Sequence, residues 1–200
     1  MSKLPISYYL GEDVESIACF LLGKFLYTNI NNQLTGGIIT ETEAYKGVSD
    51  KASHAYGGKL TKRTEVMFKQ GGVCYVYLCY GVHYLLNVVT ADEGVPHAVL
   101  IRGIYPLIGI NHMFERTGKQ KANYKLTNGP GKLTKALGVN ITHNGISFQD
   151  NEMWIEDGGV VINKQDIEIG PRIGVGYAAE DSLLPYRYVL NYNQYIKKTP

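Results

Sequence analysis

Two hundred residues, 44% hydrophobic and 19% charged, make an ordinary globular composition, long enough to bury a core without disulfide or metal staples. A formal charge of +2 excludes a chain that is basic throughout, so any grip on a polyanion must come from local clusters. Three cysteines (Cys19, Cys74, Cys79) without C-x-x-C spacing, and no apolar run long enough to span a bilayer, predict a soluble intracellular protein with no disulfide scaffold and no membrane partner.

No repeat, low-complexity tract or linker interrupts the chain, which predicts one domain over residues 1–200. A first helix is expected over Asp13–Leu22. Asp13 is an N-cap residue type, Glu15 falls in the first turn where negative charge suits the helix dipole, and Ile17, Leu21 and Leu22 recur at helical spacing before Gly23. Asn31-Asn32 reads as a hairpin turn into GGIITETEAY, where alternation places Ile39, Glu41, Glu43 and Tyr45 on one strand face. From Lys46 to Gly72 the composition turns to Gly, Ser, Thr, Lys and His, with a helical hint only at Thr61–Phe68; a loop of this length is expected to be functional or disordered. Strands are predicted at Val73–Cys79, Tyr84–Thr90 and Ala98–Ile104. PLIGINHMFER predicts a helix ended by Gly118, and Asn128–Gly138 another, opened by Pro130 and closed by Gly138. SFQDNEMWIE, VVINKQDIEIG and YRYVLNYNQY read as short strands or turns. Strands mixed irregularly with helices predict the α+β class.

Two constellations carry chemistry. A carboxylate in the Glu41-x-Glu43-x-Tyr45 face, set beside an aromatic ring, is suited to activating a water as general base; the same pattern also fits solvated acids on a surface strand, or the carboxylate pair of a carbohydrate hydrolase. The stretch CYVYLCYGVHY holds four tyrosines where Val, Ile or Phe would fill a core with no hydroxyl to satisfy. Tyr75 and Tyr77 share a face, and Tyr80-Gly81 stands at the strand end, an arrangement that fits base-stacking platforms with an outward wedge and equally fits cross-strand aromatic packing or a noncatalytic nucleic-acid binder. His54, His83, His97, His112 and His143 lack zinc spacing, so no metal and no cofactor is expected. Lys59, Lys62 and Arg63, and then Lys119, Lys121, Lys125, Lys132 and Lys135, form two basic groups suited to phosphate contacts. The helix opening at Gly129-Pro130-Gly131 adds free backbone N–H groups.

Taken in order, ETEAYKGVSDKASHAYGG, RTEVMFKQGGVCYVYLCYGVHYLLNVV, AVLIRGIYPLIG, NGPGKLTKALG and PRIGVGYA resemble the 3-methyladenine (alkyladenine) DNA glycosylase family, from about residue 6 to residue 190. The resemblance implies a single compact α+β domain with a curved antiparallel sheet, flanking helices and a protruding β-hairpin that enters the minor groove. It implies a monofunctional purine DNA N-glycosylase of base-excision repair, acting as a monomer on double-stranded DNA that holds a damaged purine. The expected substrates are 3-methyladenine and 7-methylguanine, with deaminated or etheno purines open. In this likeness Glu43 is the water-activating base and Arg102 stands beside the water and the target nucleotide's backbone. Tyr45, His54 and Tyr77 wall the base pocket, and Asn87 crowds a guanine 2-amino group. Tyr80 is the wedge left in the helix, and Thr61, Lys62, Arg63 and Lys132 are expected at phosphates. Departures from the family pattern at Thr61-Lys62-Arg63, where a proline is expected, and at Tyr56 bear on duplex grip and loop conformation.

Overall fold

The computed structural model describes residues 2–121 and 123–191. Its centre is one curled antiparallel sheet. The first strands are β1 (Phe25–Ile30) and β2 (Gln33–Tyr45), then β3 (Cys74–Cys79), β4 (His83–Thr90) and β5 (His97–Ile108), followed by the short β6 (Met153–Glu156), β7 (Ile167–Gly170) and β8 (Arg187–Leu190). The main path runs β3-β4-β5-β2-β1-β6, and β8 pairs with both β2 and β7. Three α-helices flank it among the described residues: α1 (Val14–Phe20), α2 (Ile110–Thr117) and α3 (Pro130–Leu137).

Local chemistry explains most of these elements. The Asp13 side chain accepts from the Ser16 N–H at the start of α1. Asn31 and Asn32, with φ of 54° and 59°, form the two-residue turn that pairs Ile30 with Gln33. In α3, Pro130 opens the helix and Gly138, left-handed at φ 79°, closes it. The second predicted helix begins later than expected, because the strand before it continues through Pro106-Leu107-Ile108, held by pairing of Gly37 with Pro106 and Gly36 with Ile108. The backbone turns only at Gly109, with φ 68°. Of YRYVLNYNQY, β8 accounts for Arg187–Leu190, and residues 192–195 lie outside the described residues.

The main core lies on the helix side of the sheet, where Cys74, Val76, Leu86, Val88, Val99 and Ile101 meet Ala18, Leu21, Met113, Leu133 and Leu137. The opposite face carries a smaller cluster of Ala55, Val66, Met67, Tyr75, Val89 and Ala98. That cluster is roofed by the long segment between β2 and β3. Rather than a loose loop, the segment is a chain of 3-10 turns at Gly47–Ser49, Tyr56–Gly58 and Glu65–Phe68 that buries Ala52, Ala55, Val66 and Met67. The period of two in β3 therefore sends Cys74 and Val76 to the core and Tyr75 and Tyr77 to this second face.

Three register shifts interrupt the pairing of β2 with β5, one at Gly36/Gly37 and two β-bulges beside the carboxylates. Ile39 pairs with Ile104 and Glu41 with Gly103, leaving Thr40 extra on β2; Thr42 then pairs with Ile101, leaving Arg102 extra on β5. The first bulge breaks the alternation expected from sequence: Ile39 packs into the main core and does not share a face with Glu41, Glu43 and Tyr45. The second re-aims Arg102 toward those carboxylates.

Candidate active site

Glu43 sits fully buried on β2 with both carboxylate oxygens engaged. The Tyr45 hydroxyl donates to Oε2 at 2.8 Å, the Ile173 backbone N–H donates to Oε1 at 2.7 Å, and Arg102 Nη1 lies 3.3 Å from the same Oε1. Burial pushes the Glu43 carboxyl above the ordinary glutamate range, against the pull of the Arg102 charge, the Ile173 N–H and the Tyr45 hydroxyl. The Tyr45 phenol rises as well, through burial first and then through the adjacent Glu43 charge. Glu41 is committed elsewhere, accepting from Arg102 Nε at 2.9 Å and from Arg187 Nε at 2.7 Å. It is an anchor for Arg102, so the pair offers no second free acid. On Arg102, burial works against the charge, and the carboxylates of Glu43 and Glu41 outweigh it, raising its pKa.

Beside this cluster lies a narrow slot of about 40 Å³ lined by Tyr45, Ala52, Ser53, His54, Met67, Tyr75, Tyr77, Asn87, Ala98 and Tyr177. Tyr45, Ser53, His54, Tyr77 and Tyr177 also border a wider cleft whose far walls include Tyr80, His83, Arg102 and Lys132. The slot thus gathers Tyr45, His54, Tyr77 and Asn87 at one place, and the cleft adds Arg102 and Tyr80. Tyr75 and Tyr77 stack at 5.4 Å and 27°, and His54 meets Tyr77 edge-on at 4.6 Å and 77°. The tyrosine hydroxyls answer the question that CYVYLCYGVHY raises: the Tyr75 hydroxyl lies 2.9 Å from His54 Nδ1. Burial and the Arg63 charge lower the His54 pKa to about 4, so the imidazole is neutral at physiological pH. Asn87 donates from Nδ2 to the Tyr75 carbonyl at 3.0 Å, which fixes its side chain in the slot wall.

Tyr80 projects from the tip of the β3–β4 hairpin with 92% of its surface exposed. Tyr80 and Gly81 both adopt positive φ, 49° and 70°, a left-handed turn that a side-chain-bearing residue enters at a cost of roughly 1–2 kcal/mol. The hairpin is braced from below by α3, where Gly131 lies so close to the His83 ring that a Cβ would come within 2.6 Å of it. Lys132, on the first turn of α3, borders the cleft and donates to Asn128 Oδ1 at 3.0 Å. Thr61, Lys62 and Arg63 are all exposed, and the Thr61 hydroxyl lies 3.1 Å from that of the buried Thr64. Arg63 lies over the Tyr77 ring at 5.0 Å.

Sequence reasoning missed a second ion pair behind the slot. Arg172 and Asp50 are almost entirely buried and bonded at both ends: Arg172 Nη2 donates to Asp50 Oδ1 at 2.8 Å, and Nη1 donates to Asp50 Oδ2. Arg172 Nη1 also donates to the Ala44 carbonyl at 2.9 Å, and the guanidinium lies 4.8 Å from the Tyr45 ring. The residue after Arg172 is Ile173, whose N–H holds Glu43. The only sequence signals for this pair are the two blocks that hold it, ETEAYKGVSDKASHAYGG for Asp50 and PRIGVGYA for Arg172, since neither residue sits in a pattern with a partner. Tyr177, from the same block, was missed as well; its hydroxyl donates to the Ala52 carbonyl at 2.9 Å. Among the described residues no group of His, Cys, Asp and Glu could hold a metal ion, and no helix is long and apolar enough to cross a membrane.

The family model for methylpurine-DNA glycosylase matches residues 8–194. A protein from Chlamydia felis is 45% identical over 189 residues, spanning 94% of this chain and 96% of its own length. One from Bacillus cereus is 43% identical over 204 residues, spanning 98% and 99%. Both carry the name "Putative 3-methyladenine DNA glycosylase". With matches that span nearly the whole chain on both sides, the protein belongs to the methylpurine-DNA glycosylase family, hydrolases of the N-glycosyl bond that act in DNA repair.

Proposed function

We propose that the protein, as a monomer, flips an alkylated purine out of duplex DNA into the slot and removes it by hydrolysis, with 3-methyladenine and 7-methylguanine as substrates. The observation that carries this is a buried carboxylate, Glu43, fixed by three contacts, one of them from Tyr45 in the wall of an aromatic slot that opens into a wider cleft. Relatives named for 3-methyladenine support the choice of lesion.

A base within a duplex is out of reach, so it must rotate out at an unstacking cost of a few kcal/mol. Aromatic stacking in the slot returns about 1–3 kcal/mol per base, and Tyr80 fills the gap left in the helix. The electron-rich faces of Tyr45 and Tyr77 favour a cationic alkylpurine, which is also a leaving group already activated by its charge. Glu43 accepts the proton of a water attacking C1′, and its charge stabilises oxocarbenium character in the sugar. Its three contacts occupy three of about four lone-pair directions, leaving one for that water. Arg102 steadies Glu43 and favours its charged form, partly offsetting the effect of burial. Among the described residues lining the slot there is no lysine to attack the sugar, consistent with hydrolysis rather than lyase chemistry. Neutral hypoxanthine or ethenoadenine lacks the activating charge, so its release requires a proton supplied to the base.

The test is release of free base from duplex oligonucleotides holding 3-methyladenine, hypoxanthine or ethenoadenine. Wild type releases 3-methyladenine, and Glu43→Gln loses the rate by about 10²- to 10⁴-fold while still binding the duplex. An inactive wild type, or a fully active Glu43→Gln, refutes the proposal.

A further inference from the structure

Arg63 stands among residues expected to touch phosphate, and its side chain, though exposed and bordering the wider cleft, lies against two aromatic walls of the slot. Its guanidinium carbon lies 5.0 Å from the Tyr77 ring centroid, and Nη2 is 3.3 Å from His54 Nε2. A guanidinium has only donors, so His54 Nε2 accepts and the remaining ring proton, on Nδ1, is directed at the Tyr75 hydroxyl. One planar cation therefore touches two aromatic walls of the slot, Tyr77 and His54, and borders the cleft that leads to it.

We propose that Arg63 gates the base slot: in the DNA-free protein it occupies the aromatic wall on which an extruded base would stack, and it vacates that wall when a DNA phosphate draws it away. This rests on the slot being the base-binding site. The guanidinium stacks on aromatic rings as a base does, so it keeps the slot's faces covered when no DNA is present. A phosphodiester offers what the slot cannot, a charged, bidentate acceptor, and so is the stronger partner for the same side chain. Coupling the two partners admits a base only when its backbone is docked. The gate also selects by charge: while Arg63 lies on Tyr77, a free cationic purine meets both a covered face and a like charge, whereas a neutral purine meets only the first.

The experiment compares wild type, Arg63→Gln and Arg63→Lys for binding of two nucleosides without any DNA: 7-methylguanosine held in its cationic form, and neutral inosine. Removing the cation–π contact predicts roughly 2- to 5-fold tighter binding of either nucleoside by Arg63→Gln, with the larger gain for the cation; Arg63→Lys, with charge but no planar stack, falls between. Equal or weaker binding by Arg63→Gln, or no binding by either protein, overturns the gate. The wild type gives a readout that needs no variant. The side-chain proton resonances of Arg63, shifted upfield by the Tyr77 ring current, move back on addition of an undamaged duplex; resonances that stay in place at saturating duplex overturn it as well. A wild type that releases no base from a lesion duplex refutes the proposed function instead, so the two failures are told apart.

Discussion

The buried pair of Asp50 and Arg172 gives the sharpest test of how the site is held. Replacing Asp50 with alanine leaves the Arg172 side chain, which has no exposed surface, without a counter-charge, holding only the neutral carbonyls of Ala44 and Asp181 and the faces of Tyr45 and Tyr186. Stranding a buried charge in this way costs about 3–5 kcal/mol. For a domain of this length each kcal/mol lowers Tm by about 2–4 °C, so Asp50→Ala is expected to melt roughly 6–20 °C below wild type. The double variant Asp50→Ala/Arg172→Met removes both charges and fills the space with an apolar chain, and it regains most of the loss, since a buried ion pair is itself a weak source of net stability. Differential scanning calorimetry measures both. Base release, taken at a temperature where every variant is folded, stays depressed in the double variant, because a thioether in place of the guanidinium has no donor for the Ala44 carbonyl and no longer anchors the segment that presents the Ile173 N–H to Glu43. A drop below about 3 °C for Asp50→Ala, or a double variant no more stable than the single, refutes the reasoning.

Three further outcomes follow from the same geometry. Glu43 must be deprotonated to act as base and burial raises its pKa, so the rate of base release falls on the acid side, at a pH above the ordinary glutamate range. Tyr45→Phe removes a hydrogen bond that lowers this pKa and moves the limb to still higher pH; single-turnover rates against pH decide, and an unmoved limb counts against the Tyr45–Glu43 contact. Tyr80→Ala removes an exposed ring and leaves Tm unchanged, yet weakens binding to a lesion duplex by roughly 5- to 150-fold, the equivalent of one lost stack; equal affinity in a titration would remove the wedge role. Lys132→Ala weakens DNA binding evenly across sequences and reduces the slope of log affinity against log salt by about 1, and an unchanged slope places Lys132 away from the phosphates.

Periodicity and composition carried much of the architecture. The Asp13 cap, the Asn31-Asn32 turn, the period of two in β3 and the Pro130 and Gly138 ends of α3 are local effects, written within a few residues of where they act. The ordered blocks from ETEAY to PRIGVGYA carried the family. What periodicity could not carry was the two bulges beside Glu41. Alternation counted back from Tyr45 puts Ile39 beside Glu41, but Thr40 is inserted between them in the pairing, and the same event on β5 turns Arg102 toward the carboxylates. A bulge is decided by how two strands distant in sequence fit together, so neither strand announces it alone.

The sequence by itself determined which residue types stand where: a carboxylate two places before a tyrosine, tyrosines on alternate positions of a strand, and a glycine after Tyr80 that eases a left-handed turn. Only the tertiary structure decided their partners. Asp50 and Arg172 are 122 residues apart, Glu43 and Ile173 130 apart, and the exposed Arg63 side chain lies over Tyr77. Charge pairing in a buried site depends on distance and desolvation in space, and neither quantity is a property of a stretch of chain.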